Sequence, residues 1–393
     1  MAEQRYNLDT KVFTAFFLAA MPFVAFGSFI VVNQAKNLLR ESVGSSLEQR
    51  AVETQLALES YVADQVVHLR LLASDPDVQR ALAKPLPPQR EADSRTLEQA
   101  WASGKDAKLN AALLGSSLAA RTRPLTLVRP AFRQIQLVDG SGRMVAASAR
   151  GGRLFNADNA WWKALAAQEG AAEAFVGEPF RPAGSRLALF EIAVPVRDEA
   201  GVLVGAAHAL VDAADLYGVV APVRIGRTGH AVLVRATDGL VLASDDSDRV
   251  LARSLPGFAG LKNAVEGFPL GESGQQLFGV SGQRRGYWTI PAVSEPAANG
   301  HPAIHEPARL IGFSPVDQVA GVEWLVTVEQ DLSEALAPVE SVTRYLWIHF
   351  VGVFATVILL ALYFSFKLKR PIMDEGLHLH EEHVPTGVRT AAS

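Results

Sequence analysis

The sequence contains no cysteine, and this absence excludes disulfide bonds, thiolate catalysis, and zinc or iron–sulfur sites that use thiolate ligands. Strong basic charge is also missing, because the net charge is −4, and this gives no reason to expect nucleic acid as a partner. No serine nucleophile elbow, phosphate-binding glycine loop or spaced carboxylate pair stands out. We therefore predict a protein that is not an enzyme, with no catalytic residues, no metal site and no cofactor.

Two long hydrophobic runs without charged residues are present, at residues 12–32 and 345–366. Each is long enough to cross a hydrocarbon layer of about 30 Å as a helix. For the first run, a cleaved signal peptide is the competing interpretation. The apolar region of a signal peptide is usually about 7–15 residues long and precedes a small-x-small cleavage site, whereas this run is longer and passes into Asn33 without such a site. The sequence therefore favours two transmembrane helices.

Basic residues flank the outer ends of both runs, with Arg5 and Lys11 before the first and Lys367, Lys369 and Arg370 after the second. Because positive residues accumulate on the cytoplasmic side of a membrane, we expect residues 1–11 and 367–393 to lie in the cytoplasm. The chain would then be a two-pass membrane protein, with residues 33–344 outside the cytoplasm. The lipid bilayer is its first expected partner.

The residues after the first run show helical periodicity. Residues 33–74 contain no proline, and their apolar residues recur mostly at spacings of three and four, which is typical of an amphipathic helix. We expect one long stalk helix there. The motif SDPDVQRAL (residues 74–82) then supplies an N-cap and a proline that start a new helix. After a proline-rich break, a further helical run covers residues 97–120.

An internal repeat lies beyond the helical region. LVDGSGRMVAAS (residues 137–148) and LVRATDGLVLAS (residues 233–244) align without a gap, and each reads as strand, glycine-containing turn, strand. A second pair, PVRDEAGV (residues 195–202) and PVDQVAGV (residues 315–322), occurs in the same order. Chance resemblance between β-hairpins is the alternative, but two ordered matches favour two copies of one α+β unit.

Five motifs carry a resemblance to a known family: SDPDVQRAL, NADNAWWKAL, FVGEPFRPAGSRLALFEIAVPVRDEAGVLVG, IGRTGHAVLVRATDGLVLAS and GVEWLVTVEQDLSEALAPV. In this order, the chain resembles the double Cache family of bacterial extracytoplasmic sensors. The resemblance implies an α+β fold in which the stalk helix, residues 33–74, precedes two PAS-like antiparallel-sheet modules. The distal module would cover about residues 75–216 and the proximal module about residues 217–330. Such proteins sense a small molecule, usually in the distal module, and are coupled to a kinase, cyclase or chemotaxis domain.

The chain departs from the amino-acid-binding members of that family. Those members hold the α-carboxylate and α-amine of the ligand with a Tyr, an Arg, a Trp-Tyr pair and a strand Asp. Here the aromatic pair is Trp161 and Trp162, but the Tyr, Arg and Asp positions fall on Leu154, Asn159 and near Leu210. Losing both charged groups removes the recognition of a zwitterion. We therefore do not expect an amino acid as the ligand.

The resemblance to the amino-acid-binding members, combined with the alternation of side chains along a strand, implies a candidate ligand pocket with aromatic walls and a few polar groups. Its candidate residues are Asn159, Trp161, Trp162, Arg181, His208 and Asp212. The alternative is that the tryptophans belong to the core and that His208 is a hydrogen-bonded strand residue.

Two histidine-containing segments are weaker candidates for metal binding. HPAIHEP, with His301, His305 and Glu306, places nitrogen and oxygen ligands close together, but its prolines predict a solvated loop. The tail segment HLHEEH could bind a transition metal weakly or change charge near pH 6, although it lacks the two histidines four residues apart that a metalloprotease helix needs. A solvated tail is the simpler interpretation.

Together these features predict a membrane-bound sensor for a small molecule of unknown identity. The segment KLKRPI resembles the start of a HAMP helix, but residues 373–393 leave no room for a HAMP bundle, so the expected output goes through a separate cytoplasmic or membrane signalling protein. A homodimer is possible by analogy. Two alternatives remain open: a truncated or split sensor kinase or chemoreceptor, and a structural subunit of an envelope complex that senses nothing. A hydrolase is least favoured, because no nucleophile and base are visible.

Overall fold

The chain begins with one continuous helix, α1 (Ala2–Ala73), in the computed structural model, which describes residues 2–84, 91–167, 172–265, 285–295, 304–319 and 321–367. Fully buried apolar residues in the second half of α1 lie four or seven positions apart: Leu47, Ala51, Leu58, Val62 and Leu69. This spacing places them on one side of a helix. The second half of α1 is therefore the stalk helix that the sequence predicts.

Four shorter helices precede the first sheet: α2 (Pro76–Leu82), α3 (Glu91–Ser103), α4 (Ala107–Leu114) and α5 (Ser117–Val128). The helix α2 starts as predicted, because the carboxylate of Asp75 accepts the N–H of Asp77. The single helical run expected over residues 97–120 is instead divided among α3, α4 and α5. Gly104, at φ +65°, ends one helix, and Asp106 and Ser116 cap the next two.

The first sheet has five antiparallel strands: β1 (Phe132–Asp139), β2 (Met144–Ala147), β3 (Phe175–Val176), β4 (Leu189–Arg197) and β5 (Leu203–Asp212). Their order across the sheet is β2-β1-β5-β4-β3. A short helix, α6 (Ala160–Ala166), lies between β2 and β3 in the chain, and α7 (Ala214–Val220) comes after β5.

The second sheet contains β6 (Arg224–Ile225), β7 (Gly229–Arg235), β8 (Val241–Ala243), β9 (Gly286–Ile290), β12 (Arg309–Pro315) and β13 (Trp324–Asp331). The helix α8 (Phe258–Val265) precedes β9, and the hairpin of β10 (Val293–Glu295) and β11 (Ile304–Glu306) separates β9 from β12. The main order is β6-β7-β13-β12-β9, and β8 also pairs with β7.

The two sheets share one topology. The order β8-β7-β13-β12-β9 in the second sheet repeats β2-β1-β5-β4-β3 in the first. The turns of the second repeated motif also agree, because Gly201 and Gly321 adopt positive φ values of +81° and +87°, a conformation that favours glycine. The strands therefore have the order expected of two copies of one α+β unit.

Both sheets turn one face toward α1. A continuous core joins buried residues of α1 to alternate residues of the strands, for example Ile135 and Ala207 of the first sheet and Val326 and Val328 of the second. The backbones of β12 and α1 come close at Gly312, where an added Cβ would lie 2.2 Å from the backbone of Leu47. The opposite face of each sheet is therefore the one that can hold other groups.

The last helix, α9 (Leu332–Lys367), starts at the residue after β13. Its segment Leu332–Leu360, with a mean hydropathy of 1.6, is the one helix in the described part of the chain that is long and apolar enough to cross a membrane. The span expected at residues 345–366 overlaps this segment. The span expected at residues 12–32 lies within α1, but most side chains of its first half are outside the described residues, so it stays a prediction, as does the tail beyond residue 367.

Residues 1–37 and 338–393 form one unit, and residues 38–337 form a second unit that contains both sheets. In the first unit, residues of α1 and α9 line a common cavity, with Ala25, Phe29 and Val32 from α1 and Leu346, Trp347 and Phe350 from α9.

Candidate functional site

The face of the first sheet that turns away from α1 carries a small cluster of aromatic and polar side chains. Trp161 and Trp162 of α6 pack there on Val138, Ala193 and Ala206, one residue from each of three neighbouring strands. Both tryptophans are buried. The helix α6 thus covers this face of the sheet and brings two indole rings over it.

His208 lies at the centre of this cluster. It is 3% exposed, and its Nδ1 lies 2.7 Å from Nε2 of Gln136 on the neighbouring strand β1. The Trp161 ring stacks on the imidazole, with 4.5 Å between ring centroids and 19° between planes. On the other side, Nε2 of His208 is 3.3 Å from a carboxylate oxygen of Glu191 on β4. The cluster therefore joins α6 to three strands through one side chain.

Some of these buried atoms have no hydrogen-bond partner within the described part of the chain, namely Oε1 of Gln136, Nε1 of Trp161 and Nε2 of His208. For His208, the 3.3 Å contact with Glu191 is within ion-pair distance but lacks the geometry of a hydrogen bond, so Glu191 does not satisfy Nε2. Leaving a buried polar group unpaired costs about 1–3 kcal/mol. Such groups are expected where a ligand supplies the missing partners.

A loop covers the cluster beside α6. The side-chain Nε2 of Gln134 donates to the carbonyls of Ala149, at 3.0 Å, and Gly151, at 2.6 Å. The indole of Trp101 donates to the carbonyl of Gly152 at 3.2 Å. Gly152 has φ +66°, and an added Cβ would lie 3.1 Å from Oε1 of Gln136. The loop therefore lies close to the unpaired oxygen, and glycine leaves space there.

The remaining predicted residue of this region, Asn159, is occupied by its own neighbours. Its side chain accepts from Arg153 Nη1 at 2.9 Å and donates to Oδ1 of Asn156 at 2.8 Å. These contacts position the start of α6. Trp162 meets Trp161 edge-on, with 5.9 Å between centroids. The structure thus brings Asn159, Trp161, Trp162 and His208 into one region.

Arg181 and Asp212 lie elsewhere, in a groove that both sheets line. Its other residues include Arg186, Tyr217, Ser244 and Asp245. Asp212 is paired with Arg133, whose Nε lies 2.9 Å from its carboxylate, and Arg181 donates to the carbonyl of Val250 at 3.5 Å. The six predicted residues therefore form two groups, and alternation along β5 alone does not place Asp212 beside His208.

The corresponding face of the second sheet holds a network of paired charges. Arg309 donates to Glu329 at 2.6 Å and to the carbonyl of Pro256 at 2.9 Å, and it lies 3.0 Å from Glu306. Nε2 of His230 is 3.1 Å from Glu329. A hydrogen bond with Glu329 is the main cause that raises the pKa of His230. These buried charges are therefore paired with one another, although Nε of Arg309 has no hydrogen-bond partner within the described residues.

The internal repeat and the strand registers allow the two faces to be compared position by position. One three-residue row across the first sheet is Gln136, His208 and Ala193, and the matching row of the second sheet is Val232, Thr327 and Phe313. The hydroxyl of Thr327 donates to the carbonyl of Val232 at 3.1 Å. The row in the second sheet is therefore apolar or internally bonded, whereas the first sheet has unpaired polar groups at the same place.

The segment HPAIHEP does not form the loop expected throughout. His305 and Glu306 belong to β11, which pairs with β10, while His301 lies outside the described residues. The Glu306 carboxylate is bonded to Arg249 and Arg309, and Nδ1 of His305 is 3.1 Å from the Ser294 hydroxyl. Among the described residues, no three His, Asp or Glu side chains are placed to hold a metal ion.

Sequence reasoning missed three polar residues of this region: Gln136 and Glu191, which contact His208, and Gln134, which holds the covering loop. A signal for two of them was present, because QIQ within β1 places two glutamines on one face. Their neighbours could not be inferred, since the pairing of Gln136 with His208 depends on the register of β1 and β5, which shifts between Phe132 and Gln134.

Comparison with known proteins gives one family match, to a model described as Cache domain, over residues 32–339. No curated protein matches the chain. Several solved structures are similar to it. A Pseudomonas fluorescens chemoreceptor ligand-binding domain, CtaA with L-isoleucine, has 16% identity and a TM-score of 0.45, covering 77% of this chain and 98% of that one.

The Pseudomonas aeruginosa amino acid chemoreceptor domain PctC with GABA has 20% identity and a TM-score of 0.41, covering 73% of this chain and 99% of that one. A domain of a putative sensory box/GGDEF family protein from Vibrio parahaemolyticus has 16% identity and a TM-score of 0.43, covering 76% of this chain and 99% of that one. Because these TM-scores are below 0.5, the likenesses add no argument to the family match.

Proposed function

The chain belongs to the Cache domain family and carries its double Cache sensor domain, and on that premise we propose that it is a membrane-bound sensor whose ligand binds under α6. The first sheet would be the core of the distal, ligand-binding module at about residues 75–216. The second sheet would be the core of the proximal module at about residues 217–330, which transmits the change. The proposed site consists of Trp161, Trp162 and His208, with Gln136 and Glu191 beside them.

The contrast between the two copies carries this proposal. At matched positions, one sheet has buried polar groups without partners in the described residues, and the other has apolar or internally bonded groups. Both sheets are built on the same repeated unit, so the second sheet serves as a control for what the fold itself requires. The unpaired groups of Gln136, Trp161 and His208 are not required by the fold, which supports a binding role.

Contacts at the start of α9 support a route for the signal. The Glu334 carboxylate accepts from the backbone N–H of Arg227 at 2.7 Å and of Thr228 at 2.9 Å, and from the Thr228 hydroxyl at 2.6 Å. The N–H of Asp331 donates to the Thr228 hydroxyl at 3.1 Å. The first turn of α9 is thereby fixed to the turn between β6 and β7. A rearrangement of the second sheet would move α9 by the roughly 1–2 Å typical of helix shifts.

The proposal extends to location and partner. We place the chain in a bacterial inner membrane with two spans, both ends in the cytoplasm and residues 33–344 in the periplasm. A separate cytoplasmic or membrane signalling protein would read the movement of α9, and the sensor could act as a homodimer. The alternatives of a split receptor and of a structural envelope subunit remain, and binding of a small molecule separates the structural subunit from a sensor.

The test is a metabolite screen on the full chain in lipid nanodiscs, read as a rise in melting temperature. A ligand at 100 times its Kd stabilises the folded state by about 2.7 kcal/mol. The variant His208→Thr copies the residue of the second sheet and should abolish the rise, whereas Thr327→Val, at the matched position, should keep it. If no metabolite raises the melting temperature, the structural-subunit alternative is favoured.

A further pair of variants locates the site. Arg181→Ala and Asp212→Asn alter the groove between the sheets and should leave ligand binding unchanged. If these variants abolish the rise in melting temperature while His208→Thr keeps it, the ligand site belongs in the groove, and the site under α6 is wrong.

A further inference from the structure

We propose, on the basis of the function proposed above, that the site under α6 takes a flat, nitrogen-bearing ligand that is neutral or cationic, and that it rejects carboxylates. The expected ligand is a heteroaromatic ring that carries an amide or amine. Three properties of the site support it, namely its hydrogen-bonding groups, its charge and its shape.

The unpaired groups of the site are complementary to a ligand that both donates and accepts hydrogen bonds. Oε1 of Gln136 is a buried acceptor, and the indole N–H of Trp161 is a buried donor, and both lack partners within the described residues. Both side chains adjoin His208, Gln136 through the 2.7 Å contact of its Nε2 and Trp161 by stacking. Because Gln136 donates through Nε2 to Nδ1 of His208, the proton of a neutral imidazole lies on Nε2, toward Glu191. An amide or ring nitrogen supplies the complementary donor and acceptor.

The charge of the site excludes an anion. Glu191 is partly exposed, and within the described part of the chain His208 is the basic side chain that lies within 4.0 Å of its carboxylate. In the α6 region, Arg153 is paired with Asp158 and Asn159. A ligand carboxylate would therefore meet a negative charge, with Arg153 already engaged elsewhere, and a cation would meet a carboxylate acceptor.

The shape of the site favours a flat ligand. At the positions where the second sheet has Phe313 and Leu325, the first sheet has Ala193 and Ala206, so the first sheet leaves space under α6. The Trp161 ring occupies this space, and it lies nearly parallel to the His208 ring, with 4.5 Å between centroids. A ring that enters between Trp161 and His208 would separate their centroids to about 9 Å, which is twice the shortest centroid distance of stacked aromatic rings.

The experiment compares three probes with the same ring and different charge, on the full chain in nanodiscs at a pH of about 7.5. The probes are nicotinamide, which is neutral, 1-methylnicotinamide, which is cationic, and nicotinate, which is anionic. Binding is measured by calorimetry and by the change in tryptophan fluorescence. We expect millimolar or tighter affinity for the first two, as is usual for fragments of this size, and at least tenfold weaker binding of nicotinate.

Two variants identify the groups responsible. Glu191→Gln should reduce the preference for the cationic probe over the anionic probe about tenfold, since it removes the charge and keeps the shape. Gln136→Leu should weaken nicotinamide binding about tenfold. Glu199→Gln, which changes an exposed carboxylate in the turn between β4 and β5, is the matched control and should change neither value.

The outcomes separate this inference from the proposed function. If nicotinate binds as tightly as nicotinamide, or if none of the three probes binds, the ligand class is wrong. If in that case a metabolite from the screen still binds and loses binding in His208→Thr, the sensor function stands without this ligand class. If neither the screen nor the probes give binding, both proposals fail.

Discussion

Replacing Arg309 with methionine tests whether the charges of the second sheet are structural. Arg309 and Glu329 are 4% and 1% exposed, and their nitrogen and oxygen atoms are 2.6 Å apart. Removing the guanidinium leaves the Glu329 carboxylate buried, with His230 as its remaining partner in the described residues. Breaking a buried ion pair in this way costs about 3–5 kcal/mol. At about 2–4 °C per kcal/mol for domains of this size, the melting temperature should fall by roughly 6–20 °C.

The assay is thermal unfolding of the full chain in detergent, followed by tryptophan fluorescence. The double variant Arg309→Met with Glu329→Leu is the control, because an apolar pair of similar volume is often as stable as a buried ion pair, and it should recover most of the loss. A fall below about 2 °C for Arg309→Met would show that the pair contributes little. Loss of the ligand response in the double variant, with stability recovered, would place a binding role in the second sheet and contradict our reasoning.

Three further predictions concern the same unit. The pKa of His230 is raised from its ordinary value of 6.5. The stability that its protonated form contributes is therefore complete below about pH 6.5 and is lost as the pH rises through the folded-state pKa. In His230→Gln, the melting temperature should depend less on pH between about 6 and 8. Glu334→Gln should leave ligand affinity unchanged but reduce ligand-dependent crosslinking of residues 345–366 to their neighbours, and an unreduced response would exclude the proposed route. Gly312→Ala should destabilise the fold by about 1–3 kcal/mol through overpacking, since its Cβ would meet the backbone of Leu47. Denaturant unfolding measures this loss. The control is Gly218→Ala, because no atom lies within 4 Å of a Cβ added there.

The sequence predicts the elements with a local signal. The stalk helix is evident from apolar spacing, the start of α2 from Asp75 and Pro76, and the two copies of the sheet from hairpins with glycine in their turns. The division of residues 97–120 among three helices is not predictable in the same way, because tertiary packing decides whether Gly104 and Gly115 interrupt a helix.

The candidate site is predictable only in part. Trp161, Trp162 and His208 can be proposed from motif and alternation, and the structure places them together. Asp212 is four residues after His208 along β5, a spacing that predicts the same face of the sheet. It lies at the end of the strand, however, where the irregular pairing of β1 allows Arg133 to reach it. The contact of Glu191 with His208 depends on side chains from neighbouring strands, and no spacing within one strand reveals it.

The repeated topology has a consequence for evolution and for engineering. The residues that would choose a ligand lie under α6, whereas the contacts that hold α9 lie in the other copy, at Thr228 and Glu334. Substitutions under α6 can therefore accumulate without altering the contacts that hold α9, and the reverse is also true. If the proposed function holds, exchanging α6 and the facing strand residues for those of another Cache domain should change which compound binds, while the contacts that hold α9 stay the same.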